Sequence, residues 1–300
     1  MPWFRIKEKD EEQWCRFLLD REVMAAGLTQ RIHVNGKCII PHRRQACVYG
    51  LSRSRSSELE GILALFTDGF TYVLIDGHLP LTPRQIADGL PSQLLWKRNG
   101  IRTLMGNRLG VSVIELYMGR PPTHREDYTM MYKEPQNPNL PGLKVPIPGR
   151  PRILSPHVSI YRTTPEDHLT LLPLQMQYEQ EEVALPGHPI NPQVTRRFFY
   201  RSLKTQLAFH LCVDGRAVSK ASSNARGIGV VQVGGVFTLP AYRGHGYAEI
   251  VMETLIREIH SRGKTVSLFV KNRNHPAQGL YKKLAFTAQE EVSIVYYTGS

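Results

Sequence analysis

The stretch FTLPAYRGHGYAEIVMETLIREIH, Phe237–His260, holds the residues best equipped for chemistry. It passes from apolar, strand-like residues through a Gly-rich basic turn into a periodic run. Ala248, Val251, Met252, Leu255, Ile256 and Ile259 fall at offsets that make one face of a helix. Glu249 and Glu253 come early in that run and Arg257, His260 and Arg262 late, the order that suits the helix dipole. Gly263 is placed to end it in a left-handed cap. The turn therefore delivers the chain to a helix N-terminus, whose first N–H groups lack internal partners. Gly244 and Gly246 keep side chains away from those donors and Arg243 adds a full charge. Such equipment suits a phosphate or pyrophosphate; a plain tight corner is the other reading. A dinucleotide fingerprint starting at Gly244 would need Gly or Ala where Glu249 stands. A P-loop ending in Gly263-Lys264-Thr265 would need Gly at Glu258, and these residues end a helix instead of opening one.

Other groups carry weaker signals. Tyr281, in the run PAQGLYKKL, offers a phenol as a proton donor or simply a core aromatic on a short helix. Glu179, Glu181 and Glu182 in YEQEEV offer a base, with Glu182 the preferred one, or form a solvated acidic helix end. Lys220, Ser223 and Asn224 in RAVSKASSNARG face a substrate or sit in an exposed loop. His33, Cys38, His42 and Cys47 are soft ligands close in sequence, but their spacing fits no standard zinc motif, and no metal is expected.

The elements that must position these groups read as a mixed α/β chain in two parts. The first, residues 1–132, opens with a helix from Asp10 to Ala26, followed by strands in QACVYGL, TYVLIDG and GVSVIELYMG, with a broken helix in LTPRQIADGLPSQLLWKRNG. Residues 133–154 are crowded with Pro and Gly and read as an extended linker, with the boundary near Arg150. The second part, 155–300, reads more sharply. HVSIYRTT is a strand, PEDHLTLLPLQMQYEQEEV a helix interrupted at Pro173, and PQVTRRFFYRSLKTQ a helix opened by Pro192. LAFHLCVDGRAVSKASS is a hairpin about Asp214-Gly215. Strands in GIGVVQVGGVFTL and KTVSLFV flank the helix after Gly246, and PAQGLYKKL and EEVSIVYYT close the chain as helix and strand.

RGHGYA fits the Q/R-x-x-G-x-G/A loop of the GNAT superfamily, the acetyl-CoA-dependent N-acetyltransferases, through Arg243, Gly246 and Ala248. LFVKNRNHPAQGLYKKLAF resembles the family's second recurring block at Asn274, Ala277, Leu280, Tyr281 and Phe286, with Ala285 in place of the usual Gly. That replacement is tolerated unless the backbone there needs positive φ. The resemblance implies an α/β (α+β) fold, a mixed, mostly antiparallel sheet flanked by helices, over the C-terminal half. It implies acetyl-CoA as cofactor and an amine as acceptor. Val236, Phe237, Thr238 and Leu239 would line the pantetheine arm. The amides of Arg243, Gly244, His245, Gly246, Tyr247 and Ala248 would wrap the pyrophosphate, and Asn274 would contact the cofactor near the splayed strands. Tyr281 matches the family's usual acid and would also touch the cofactor. RTLMGNRLGVSVIELYMGR loosely resembles the N-terminal half attached to some bacterial GNAT proteins, a decayed copy without an intact pyrophosphate loop. No second active site is expected there.

Composition narrows the class. A net charge of +12 and a pI near 9.6 favour anionic partners. No dense Lys/Arg block or aromatic-basic interleaving points to nucleic acid, which ranks third. Cys15, Cys38, Cys47 and Cys212 are scattered and form no C-x-x-C pair, as in reduced cytosolic proteins. No stretch approaches the roughly 20 apolar residues that span a bilayer, so a cytoplasmic protein without a membrane partner is expected. A CoA-binding regulatory module without catalysis is the alternative to an N-acetyltransferase.

Overall fold

The structure is a computed structural model. It describes every residue except 1–2, 35–36, 43, 54–57, 93, 95–99, 136–144, 148–150, 186 and 298–300. In chain order, β1 (Trp3–Arg5) leads into α1 (Glu11–Asp20) and α2 (Glu22–Ile32), then the short β2 (His33–Val34) and β3 (Lys37–Cys38). Next come β4 (Ala46–Leu51), β5 (Gly61–Phe66), β6 (Phe70–Ile75), α3 (Pro83–Asp88), β7 (Thr103–Asn107), α4 (Arg108–Met118) and β8 (His124–Lys133). The second half carries β9 (Arg152–Ser155), β10 (Val158–Arg162), α5 (His168–Tyr178), a π-helical turn (Glu179–Val183) and α6 (Pro192–Thr205). It continues through β11 (Ala208–Val213), β12 (Arg216–Arg226), β13 (Val230–Thr238), α7 (Tyr247–His260), β14 (Thr265–Lys271), α8 (His275–Lys283) and β15 (Thr287–Tyr296). Among the described residues no helix is long and apolar enough to cross a membrane.

The chain divides into two compact units. The first is Met1–Met131 with Phe269–His275 and Ala288–Ser300; the second is Tyr132–Leu268 with Pro276–Thr287. Residues 269–275 and 288–300, read from sequence with the C-terminal domain, thus cluster with the first unit. Most of the expected linker at 133–154 lies outside the described residues.

In the first unit, β4, β5 and β6 form an antiparallel meander, and β6 then pairs in parallel with β7 across α3. β1 extends the sheet beside β4, and β15 runs antiparallel to β7, from Val292 opposite Asn107 to Tyr296 opposite Thr103. Trp3, Leu63, Val73, Ile86, Val111, Ile114 and Val295 belong to its buried core. The structure corrects two expectations here. GVSVIELYMG is not a strand but most of α4: Asn107 caps its start by accepting from the Gly110 amide at 3.2 Å, and Gly119, at φ 62°, closes it. Its β-branched residues mimic a strand, but Val111, Ile114 and Met118 lie on one buried helical face. The helix expected from Asp10 to Ala26 starts at Glu11, breaks at Arg21 and resumes to Ile32.

In the second unit the same order recurs. A strand, β10, is followed by the helices α5 and α6; β11, β12 and β13 form a meander; β13 pairs in parallel with β14 across α7; and α8 follows. Asp214 and Gly215, both at positive φ (48° and 78°), make the tight turn between β11 and β12 that the sequence predicts. Ile160, Leu171, Leu174, Phe209, Leu211, Val231, Val251, Leu255, Val266 and Leu268 are buried here.

Candidate functional site

β13 departs from regular pairing where it matters most. Its parallel ladder with β14 matches Val230–Val233 to Thr265–Leu268, while the strand itself runs on to Thr238. On its other edge the register with β12 shifts between Lys220 and Ser222, so Gly234 and Phe237 flank extra residues. Gly235 sits in this bulge at φ 61°, and a Cβ there would come within 2.8 Å of Ser222 Oγ and 3.2 Å of Lys220 Nζ. A bulge of this kind bends the strand and re-aims its backbone groups. Val236, Phe237, Thr238 and Leu239 follow it, with Phe237 and Leu239 buried and Thr238 Oγ1 hydrogen-bonded to Ser219 Oγ at 2.8 Å.

The turn after Leu239 begins as one 3₁₀ turn, Pro240–Tyr242. Gly244 and Gly246 both take left-handed φ values, 82° and 78°, and Gly246 is the N-cap of α7. A side chain at either would be strained by φ alone, since a Cβ meets nothing within 4 Å. No side chain caps α7, and the first bond of its ladder runs from Ile250 N to Gly246 O at 3.1 Å. The amides of Tyr247, Ala248 and Glu249 therefore precede the first intrahelical donor and carry the positive end of the dipole. His245 stacks on Tyr247 with ring centroids 5.6 Å apart, and its Nδ1 lies 2.9 Å from Arg243 O.

Arg243 points back along the strand. Its Nε donates to Thr238 O at 3.1 Å, its guanidinium lies over the Phe237 ring at 5.5 Å, and Nη2 holds both oxygens of Glu181 at 2.7 and 2.8 Å. Glu181 belongs to the π-helical turn, in which Ala184 N donates to Glu179 O at 2.7 Å. Glu179 has its own partners: Oε1 accepts from Gln175 Nε2 at 2.8 Å and Oε2 from Thr195 Oγ1. Glu182, next to Glu181 and three residues after Glu179, is half-buried, and its charge acts on two phenols.

Those phenols are Tyr281, on α8, and Tyr178, at the end of α5. Burial drives the Tyr281 hydroxyl well above its ordinary pKa, reinforced by Tyr178 and Glu182. Tyr178 is pushed up to about 12, first by burial, against a hydrogen bond from the Gly235 backbone. Its ring meets Phe237 edge-on at 6.2 Å. Both hydroxyls keep their protons through neutral pH.

Lys220 completes the group. It is 5% exposed, donates from Nζ to Gly235 O at 2.8 Å, and holds Nζ 4.3 Å from the centre of the Tyr178 ring. Burial lowers its pKa to about 7, against the raising effect of Glu179.

Nearly all the residues singled out in the sequence therefore fall within the second unit: Val236–Leu239, Arg243–Ala248, Glu182 and Tyr281. Asn274 does not; it clusters with the first unit, where its amide donates to Lys271 O at 2.9 Å. Ser223 is structural, its Oγ accepting from Leu207 N at 2.9 Å and bonding Gln206 Oε1 at 2.6 Å, and Asn224 is exposed. Sequence reasoning missed Tyr178, and it left Lys220 undecided. The signal was present in part: a lysine alternating inward with Val218 and Ser222 around it in a strand is out of place in a solvated loop.

The corresponding positions of the first unit are closed. α3 is capped internally: Thr82 Oγ1 accepts from Gln85 N at 3.3 Å, and Gln85 Oε1 accepts from Thr82 N at 2.9 Å. Where β6 runs past its ladder with β7, Asn107 spans the gap, donating to Ile75 O at 2.7 Å and accepting from Ile75 N at 3.2 Å. Among the described residues no group of three or more His, Cys, Asp or Glu gathers to hold a metal ion.

Residues 225–295 match the FR47-like protein family. No curated protein matches the chain. Solved structures match it over almost its full length. A Drosophila protein is 14% identical over 99% of each chain, with a TM-score of 0.60. A GCN5-related N-acetyltransferase from Kribbella flavida is 15% identical over 93% of this chain and 95% of that one (TM-score 0.54). A tandem GNAT protein from the clavulanic acid biosynthesis pathway is 14% identical over 99% of this chain and 98% of that one (TM-score 0.53). The chain thus has the GNAT acetyltransferase fold, as two GNAT-like halves in tandem.

Proposed function

We propose that the second unit is an acetyl-CoA-dependent N-acetyltransferase. The observation that carries this reading is the junction of β13 and α7: a bulged strand released from its parallel neighbour after Val233 leads, through two left-handed glycines, to an uncapped helix N-terminus. That junction suits a ligand with an extended amide-bearing arm and a pyrophosphate. Backbone groups of Val236–Leu239 would bind the arm, and the amides from Arg243 to Ala248 the pyrophosphate. Bound acetyl-CoA would supply an activated acetyl thioester.

The chain's own groups fit the rest of the reaction. An attacking amine must be neutral, and Glu182, whose charge acts on the Tyr178 and Tyr281 hydroxyls, is the carboxylate assigned to take its proton. A departing thiolate gains from a proton donor, and Tyr281, buried and protonated at neutral pH, is assigned that role. Tyr178, on which Glu182 acts and which acts on Tyr281, packs edge-on against Phe237.

Calorimetry with acetyl-CoA is the direct test. Saturable binding in the micromolar range, followed by release of CoA thiol in the presence of a panel of amines, is the expected result. An absence of heat at high micromolar acetyl-CoA would sink the assignment; binding without thiol release on any amine would reduce it to a CoA-binding module.

A further inference from the structure

The second unit contains an amine of its own. Lys220 lies mid-strand in β12, opposite His210 of β11 on one side and Phe237 of β13 on the other. Its side chain is buried, and its Nζ reaches the β13 bulge, 2.8 Å from Gly235 O. Gly235 immediately precedes Val236–Leu239, the segment assigned above to the acyl carrier's arm. A primary amine and the backbone that would hold an acyl thioester thus share one bulge.

Burial favours an uncharged amine at Nζ, against the pull of the Tyr178 ring face and of Glu179 towards the cation. Tyr178, from α5, presents its ring face, and its hydroxyl is itself hydrogen-bonded to the Gly235 backbone. His210 is buried, stacked on Tyr161 at 5.1 Å and bonded to Thr163 Oγ1 at 2.9 Å, and burial lowers its pKa to about 4, so it is neutral. Phe237 is apolar, with the Arg243 guanidinium 5.5 Å from its ring centre. Glu179, in the π-helical turn, is the anion among the described residues that acts on Lys220, and its oxygens already accept from Gln175 and Thr195. Tyr281 and Glu182 complete the surroundings through Tyr178.

We propose that Lys220 is a self-acetylation site, an internal amine acceptor for an acetyl thioester bound along the β13 bulge. This rests on the acetyl-CoA reading above. The neutral Nζ attacks the thioester carbonyl carbon; the N–C bond forms and the C–S bond breaks. The electron pair leaves on sulfur, and the proton lost from Nζ ends there, giving acetyl-Lys220 and free CoA thiol. No oxidation or reduction is involved. The product amide keeps one N–H for Gly235 O and can no longer take up a proton beside the Tyr178 ring. A chain so modified has filled its own acceptor position, so external amines compete with Lys220 for the same acetyl group.

The test incubates the full chain with acetyl-CoA and no added amine, and quantifies acetylation of each lysine by peptide mass spectrometry. In parallel, calorimetry measures acetyl-CoA binding. The expected result is near-stoichiometric acetylation of Lys220 ahead of the exposed lysines, suppressed by excess CoA. Its rate rises about tenfold between pH 6 and pH 8 and then levels, as a group titrating near 7 requires. Ordinary surface lysines keep accelerating beyond pH 9. The chain unfolded in urea should lose the selectivity for Lys220, and a Lys220→Arg chain that still binds acetyl-CoA should show no fast-reacting lysine. Binding of acetyl-CoA with Lys220 unmodified, or modified no faster than surface lysines, overturns this inference and leaves the N-acetyltransferase reading standing. An absence of binding overturns both.

Discussion

Tyr281, Tyr178 and Lys220 are buried, and burial pushes each of the three towards its neutral form. For a phenol this means a proton retained at any working pH, which is what a donor to a thiolate must have. Tyr281→Phe should therefore lower kcat by about 10²-fold with little change in KM, and the wild-type rate should show no loss from phenol ionisation below pH 10. Steady-state kinetics across pH 6–10 checks both statements; an unchanged kcat would remove Tyr281 from the acid role. For Lys220 the direction has a stability consequence. Its folded pKa, about 7, lies below its unfolded value, so between the two the unfolded chain binds the extra proton and stability rises with pH. Below pH 7 both states are protonated and the contribution is flat. Replacing Lys220 by Met should abolish this slope, about 1.4 kcal/mol per pH unit for one proton. Urea unfolding at pH 7.5 and 9 would show the wild type gaining about 2 kcal/mol on the variant over that interval. Equal pH dependence in the two chains would mean that Lys220 is not titrating in the folded state.

The α7 junction and its neighbours act as elements. Arg243 ties the glycine turn to the π-helical turn through Glu181, so one guanidinium serves both. Arg243→Glu would place a carboxylate against Glu181 and against an incoming phosphate. Affinity for acetyl-CoA should fall by about 10- to 100-fold, the range for losing a charge-assisted hydrogen bond, with a direct readout by calorimetry. The turn after α8 carries a strain that the sequence posed only as a condition. Ala285 adopts φ 59°, so the backbone does require positive φ where glycine is usual. Ala285→Gly should be stabilising by about 1 kcal/mol, the relieved left-handed strain less the flexibility glycine adds to the unfolded chain, seen as a raised Tm. These elements were legible because each is written locally: caps, glycines and a 3.6-residue period fix α7, and Asp214-Gly215 fixes the hairpin between β11 and β12. In the first unit α4 was not legible, because Val111, Val113 and Ile114 suit a strand, and what decides for a helix is Asn107 and Gly119 at its ends. The strand pattern around Lys220 carried part of the signal, but its meeting with Gly235, and that of Tyr178, lay beyond local reading because the bulge brings them together.

At the scale of the whole chain, the two units repeat one order of elements but have treated the same two positions oppositely. In the second unit the parallel strands separate after Val233 and the following helix begins without a side-chain cap. In the first, the Asn107 side-chain amide takes both backbone groups of Ile75 just past the end of the β6–β7 ladder, and it also bonds Glu290 at 2.8 Å. An amide so placed satisfies the groups that an inserted peptide-like arm would need. The helix there, α3, is short, and Thr82 and Gln85 satisfy each other at its start. Displacing the Asn107–Ile75 bonds would leave buried polar groups unpaired, each worth roughly 1–3 kcal/mol. The first unit should therefore keep its fold and have no affinity for acetyl-CoA. Calorimetric titration of the full chain should give one acetyl-CoA per chain, and Arg243→Glu should leave no second, weaker phase. A stoichiometry of two, or a residual site unaffected by Arg243→Glu, would show that Asn107 yields its place to a ligand and that both halves bind.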